Sequence, residues 1–202
     1  MNSQDPERKG TGGATTLEDS ALELFQTAAM LLGQEQEAVS VVEEVVSSAK
    51  SDPCAEPLSA HREAREMVIV AALRRMGQLP GGGLDAVKAA GSVSENSCIE
   101  SDDLSAAGLT PEQLESLIAG PGRARLRQWL DKLSPAMRAV FVLRALLGKD
   151  NDEAAATLRA SGAPGADKWV APMVSQVFRQ ALCSLASLLL NSGLVDLSAT
   201  RG

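Results

Sequence analysis

The chain has 202 residues, 45% of them hydrophobic and 22% charged, which is enough apolar material for a packed core and excludes a globally disordered protein. Aromatic residues make up only 2%, with no tyrosine, so the core must be built from Leu, Val, Ala and Met; no alternating run marks a strand, and the expected class is all-α. A formal charge of −7 argues against a protein that coats nucleic acid without specificity.

Met1 to Thr16 is polar and Gly/Thr-rich, lacks the apolar centre of a signal peptide and is expected to be disordered. A first helix is predicted over about Leu17 to Leu32, with Ala21, Phe25, Ala28 and Leu32 on one face and Gly33 as its stop. The second covers about Glu35 to Lys50, where Ala38, Val41, Val42, Val45, Val46 and Ala49 form an apolar stripe at helical spacing. Ser51-Asp52-Pro53 breaks it. A third helix, from about Ser59 to Met76, turns Met67, Val68, Ala71 and Ala72 inward and completes a first bundle over 17–78.

Leu79-Pro80-Gly81-Gly82-Gly83 marks a boundary, and the acidic stretch 79–122 reads as a linker with a short helix near Leu84–Ala90. Within it, Thr110-Pro111-Glu112-Gln113 is a helix start, with Thr as N-cap and Pro at the first helical position. The turn Gly120-Pro121-Gly122 follows no strand and lacks a Lys-Ser/Thr ending, so it is not read as a phosphate cradle.

A second bundle is expected over 123–191, followed by a tail, 192–202. Leu126, Trp129, Leu130 and Leu133 should face its core. Ser134 caps the next helix, Pro135 opens it and Gly148 stops it, with Met137, Val140, Phe141 and Leu147 inward. Asp150 and Glu153 make a capping box for a helix to about Ala160, and Gly162-Ala-Pro-Gly165 is an open turn. The last helix runs from near Ala171 to Leu190, with Val174, Val177, Phe178, Ala181, Leu182, Leu185 and Leu189 inward.

Charge is unevenly divided. Residues 18–78 hold 5 basic against 11 acidic side chains, 79–122 hold 1 against 7, and 123–191 hold 10 against 5. Only the last third has the sign that attracts a phosphate backbone. Cys54, Cys98 and Cys183 are odd in number and far apart, with no C-x-x-C pair; the expectation is reduced thiols, no disulfide framework, no metal site and no cofactor. The apolar stretch near Leu182–Leu190 is shorter than the ~20 residues a bilayer span needs, so a soluble, cytoplasmic protein is expected. His61 has no nucleophile or acid beside it in sequence, and no constellation points to an enzyme.

Two segments resemble the small, extracytoplasmic-function sigma factors of bacteria. The first is Leu22-Glu-Leu-Phe25 through Leu31-Leu-Gly33, then Glu37-Ala-Val-Ser-Val-Val-Glu-Glu-Val-Val46. It is similar to the family's helix, Leu-Gly break and acidic helix Ala-Glu-Asp-Val-Val-Gln-Glu-x-Phe. Glu44 matches the family's glutamate, whereas Val39, Ser40, Glu43 and Val46 stand where Glu, Asp, Gln and Phe are usual. The second is Leu133-Ser-Pro-Ala-Met-Arg-Ala-Val-Phe-Val-Leu-Arg144, which matches the family closely. Asn151 to Leu158 and Val174 to Leu182 follow as its supporting and reading helices. The resemblance covers about two thirds of the chain.

The resemblance implies a sigma domain 2-like bundle and a helix-turn-helix, domain 4-like bundle joined by a linker. It also implies docking on the clamp of the RNA polymerase largest subunit, here through Glu43 and Glu44, and promoter DNA as a second partner. The sequence departs from the family where DNA would be read. Ser175 and Val177 stand at Lys and Arg positions, leaving Gln176, Arg179 and Gln180 as the candidate DNA-binding residues, and weak DNA binding is expected. The stretch 47–60, which should stack on melted bases, has no aromatic residue and one Lys.

Each candidate has a plainer reading. Glu43 and Glu44 also fit a solvated helical face, and Arg123, Arg125 and Arg127 alternate, which spreads them around a helix start. Arg138 and Arg144 read as scaffold charges, and Trp129 and Trp169 as packing residues. Two functions therefore stand: a sigma-like initiation protein with degenerate DNA-reading surfaces, or a protein-interaction or regulatory module, with a partner protein, on a sigma scaffold.

Overall fold

A computed structural model describes residues 17–48, 57–91, 98–120 and 122–192. Among these there is no strand, and the chain is all-α. The expectations for Met1 to Thr16, Ala49, the break at Ser51-Asp52-Pro53, Cys54, Pro121 and the tail beyond Ser192 fall outside the described residues.

The helices are α1 (Leu17–Leu32), α2 (Glu35–Ser48), α3 (Pro57–Gln78), α4 (Ala86–Gly91), α5 (Pro111–Ala119), α6 (Arg123–Lys132), α7 (Pro135–Phe141), α8 (Asn151–Ala160) and α9 (Ala171–Ser192). Single 3₁₀ turns stand at Leu104–Ala107 and Ala166–Lys168. Local chemistry sets the starts. Thr110 with Gln113, and Asp150 with Glu153, form complete capping boxes, and Ser134 accepts from the Met137 amide ahead of Pro135. Gly33, at φ 73°, closes α1, and Gly148, at φ 67°, follows α7. Between Phe141 and Gly148 the helix widens into a π turn, Val142–Leu146, in which the Leu147 amide reaches the Val142 carbonyl.

α1, α2 and α3 pack together as expected, with two faces rotated. In α1 the buried row is Leu24, Ala28, Leu31 and Leu32; Ala21 is exposed, and Phe25 lies half-buried in a seam toward α6. In α3 it is Val68, Ile69, Ala72, Leu73 and Met76, with Met67 exposed. The reason is electrostatic as well as apolar. Glu23 of α1 meets His61 at 3.1 Å and Arg65 at 3.3 Å. Those two residues share a helical face with Val68 and Ala72, and so turn that face toward α1. Val46 of α2, placed in the apolar stripe above, is instead exposed.

In the second group most of the residues expected inward are buried, while Met137 and Leu147 are only partly so. Leu126, Trp129, Leu130, Val140, Phe141, Val174, Val177, Phe178, Leu182 and Leu185 are all buried. Trp129 stands edge-on to Phe141 with centroids 4.8 Å apart, and its indole N–H donates to Ser184 Oγ at 3.0 Å. α9 is apolar and long enough by composition to span a bilayer, longer than the Leu182–Leu190 stretch implied, but its Val174–Leu189 face lies in this core.

The stretch 79–122 does more than tether. Leu84, Ala86, Ile99, Ala107, Leu109 and Leu114 are buried, and the Leu104–Ala107 turn and α4 pack on α9. The expectation of reduced thiols is corrected here: Cys98 and Cys183 form a disulfide, with Cα atoms 5.8 Å apart across a separation of 85 residues. Distance along a chain carries no information about distance in space once the intervening helices fold back. Closing a loop of this length restricts the unfolded chain by about 4–5 kcal/mol in the entropic account.

The two helical groups also touch directly. Lys149 Nζ lies 2.8 Å from Glu66 Oε1, Arg74 Nε donates to the Ser161 carbonyl at 3.0 Å, and Arg127 meets Glu35 at 2.8 Å. A Cβ at Gly33 would meet the Arg138 guanidinium and the Asp131 carboxylate, so this turn leaves room for their ion pair.

Candidate functional site

The proposed docking helix α2 buries Ala38, Val41 and Val45. Its opposite face carries Val39, Glu43 and Val46, spaced by four and three residues, and all three are exposed. Glu44 is exposed too, but its carboxylate lies 3.6 Å from Arg75, which also meets Glu37 at 3.4 Å. Glu43 and Glu44 are thus not equivalent: one charge is turned outward between two valines, the other is shared with α3.

The proposed reading surface is partly covered by the chain itself, at Arg179. Gln176, Arg179 and Gln180 lie on α9 and are partly buried. The acidic segment Cys98-Ile-Glu-Ser-Asp-Asp-Leu104 crosses that surface, fixed at its start by the disulfide to α9 and by buried Ile99. Arg179 donates to the Glu100 carbonyl at 3.3 Å. Asp102 is the centre of the contact. Its Oδ2 accepts from Asn151 Nδ2 at 2.7 Å and lies 3.8 Å from the Arg144 guanidinium, which also reaches the Asp102 carbonyl at 3.4 Å. Hydrogen bonds from Asn151 and Ser175, with the charge of Arg144, hold its carboxyl below the usual carboxylate range against the opposing effect of burial.

Sequence reasoning missed this convergence. In the sequence Arg144 reads as a scaffold charge, Ser175 as a lost basic position, and Asn151 as the start of the segment that resembles the family's supporting helix. The π turn carries Arg144 into place: its guanidinium donates to the Lys149 carbonyl at 2.9 Å and stacks 5.1 Å from the Phe178 ring centroid. The acidic run after Cys98 was the only legible signal, and it names no partner.

Several of the remaining candidates are engaged within the fold. His61 is engaged by Glu23, Arg127 by Glu35, and Arg138 by Asp131 at 3.2 Å and by the Leu130 carbonyl at 2.9 Å. Trp169 is fully buried and so unavailable for base stacking. No group of three metal-ligating side chains occurs among the described residues. The cavity between α1 and α6, lined by Phe25, Met30, Leu126 and Leu130, encloses only about 50 Å³.

Comparison with protein-family models, with curated proteins and with solved structures finds no match for this chain.

Proposed function

We propose that the chain is a sigma-like transcription initiation protein that binds the RNA polymerase core through α2 and carries a degenerate DNA-reading surface on α8 and α9. On this reading α1–α3 serve as the domain 2-like bundle, α6–α9 as the helix-turn-helix, domain 4-like bundle, and the protein works in the bacterial cytoplasm without a cofactor. The observation that carries it is the outer face of α2. On that face Glu43 stands between exposed Val39 and Val46, which flank the outward charge with apolar side chains. A charge rimmed by apolar side chains is the composition of a docking patch for a basic partner surface.

The second reading, a protein-interaction or regulatory module that does not touch DNA, is favoured by one feature: Arg179 is already engaged by the 98–104 segment. Binding to purified core polymerase tests the initiation reading. The expected result is stoichiometric co-elution at low salt, and its absence removes the proposal. Mobility of promoter DNA with and without core then separates the two readings, since only an initiation factor shifts DNA in the presence of core.

A further inference from the structure

We infer that the segment 98–104 is an acidic strap that occupies an anion-binding surface on α8 and α9, and that the Cys98–Cys183 disulfide is the clasp that gates this surface for the phosphate backbone of duplex DNA. The inference rests on the DNA-facing reading of α8 and α9, not on polymerase docking.

Asn151 at the start of α8 and Arg144 in the π turn converge on the Asp102 carboxylate, at 2.7 and 3.8 Å, and the Ser175 hydroxyl on α9 adds to what favours its charged form. A guanidinium with two neutral donors around one oxyanion is equally the donor set that holds a DNA phosphate. The region 123–191, with 10 basic and 5 acidic residues, supplies the attractive field, and the strap brings three acids and no base to cancel it. The Arg179 Nε and the Gln180 Oε1 are buried beneath this surface without a hydrogen-bond partner among the described residues. Release of the strap would let these atoms meet a hydrogen-bond partner from solvent or phosphate.

The clasp is accessible, because Cys98 is an exposed residue. A dithiol reductant opens it by exchange. One thiolate attacks the Cys98 sulfur and expels Cys183 as a thiolate, which takes a proton. The second thiol of the reductant, as thiolate, then attacks the mixed disulfide and releases Cys98, which is protonated in turn. Two electrons and two protons pass to the protein, and the dithiol leaves as its cyclic disulfide. Without the covalent tie, the start of the strap keeps only buried Ile99 and polar contacts that DNA phosphates replace, while its far end stays anchored by Leu104 against the core. In a reducing cytosol such a bond is transient and regulatory, so oxidation would mask the surface and reduction unmask it.

The test uses the full chain, oxidised, reduced by dithiothreitol, and as Cys98→Ser, with a fluorescent random-sequence duplex read by anisotropy. Hydrogen exchange over 98–109 reports strap release. The reduced protein and Cys98→Ser should both bind about ten-fold more tightly than the oxidised form at low salt, with a log K against log salt slope steeper by about 2, as expected for roughly two more phosphates neutralised. Arg179→Ala in the Cys98→Ser background should remove part of the gain. Equal binding by all forms overturns the inference, as does faster exchange over 98–109 without any gain in DNA affinity. Core polymerase binding measured on the same samples keeps the outcomes separate: its loss sinks the initiation reading, while tighter DNA binding by the reduced forms alone still supports the clasp.

Discussion

Trp169 donates its indole N–H to the Leu84 carbonyl oxygen at 2.8 Å, and both residues are fully buried. The bond ties the residue that follows the Pro-Gly-Gly-Gly break to the turn before α9, so a stretch rich in chain-breaking residues becomes part of the core.

Replacing Trp169 by Phe keeps most of the apolar volume but leaves the Leu84 carbonyl without its donor. An orphaned buried acceptor costs about 1–3 kcal/mol. Urea unfolding should show a lower midpoint with unchanged slope. A loss within error of zero would mean that the carbonyl is readily solvated and the stretch is not held by this bond.

Gly33→Ala should destabilise by about 1–3 kcal/mol, from a positive φ and from the encounter with Arg138. Asparagine tolerates positive φ but still carries a Cβ, so Gly33→Asn should not restore stability. Arg138→Ala added to Gly33→Ala should cost less than the two single losses combined. Strict additivity in that cycle would show that the turn and α7 do not press on each other.

Asp102 holds its proton less tightly in the folded chain than in the unfolded one, because Asn151, Ser175 and Arg144 favour its carboxylate. Its contribution is therefore complete above the ordinary value of 3.8 and is lost as pH falls through the lower folded value. Asp102→Asn should be less stable than wild type near neutral pH, and the two should converge in acid. A difference independent of pH would mean that the carboxylate charge is not what Asn151 and Arg144 recognise.

Glu43→Lys should slow association with core polymerase more than Glu44→Lys, since Glu44 shares its charge with Arg75 while Glu43 faces outward between two valines. Both effects should fade with added salt, as rim charges act mainly on association rate. Stopped-flow association at two ionic strengths gives the comparison; equal rates for both variants and wild type would clear α2 of a docking role.

Patterns with a local cause were legible in the sequence. Helix starts at Thr110, Ser134 and Asp150 depend on side chains three residues apart, and the inward row of α9 from Val174 to Leu189 depends on helical spacing alone. Tertiary structure decided everything that depends on which distant elements meet. The faces of α1 and α3 turned with the Glu23–His61–Arg65 contact, the Cys98–Cys183 bond joined residues far apart in the chain, and Arg144, Asn151 and Ser175 closed on Asp102. Periodicity reports which side of a helix is apolar but not what lies opposite it. An acidic run reads the same whether water or an arginine faces it, so the strap became visible only when the chain folded back over α9.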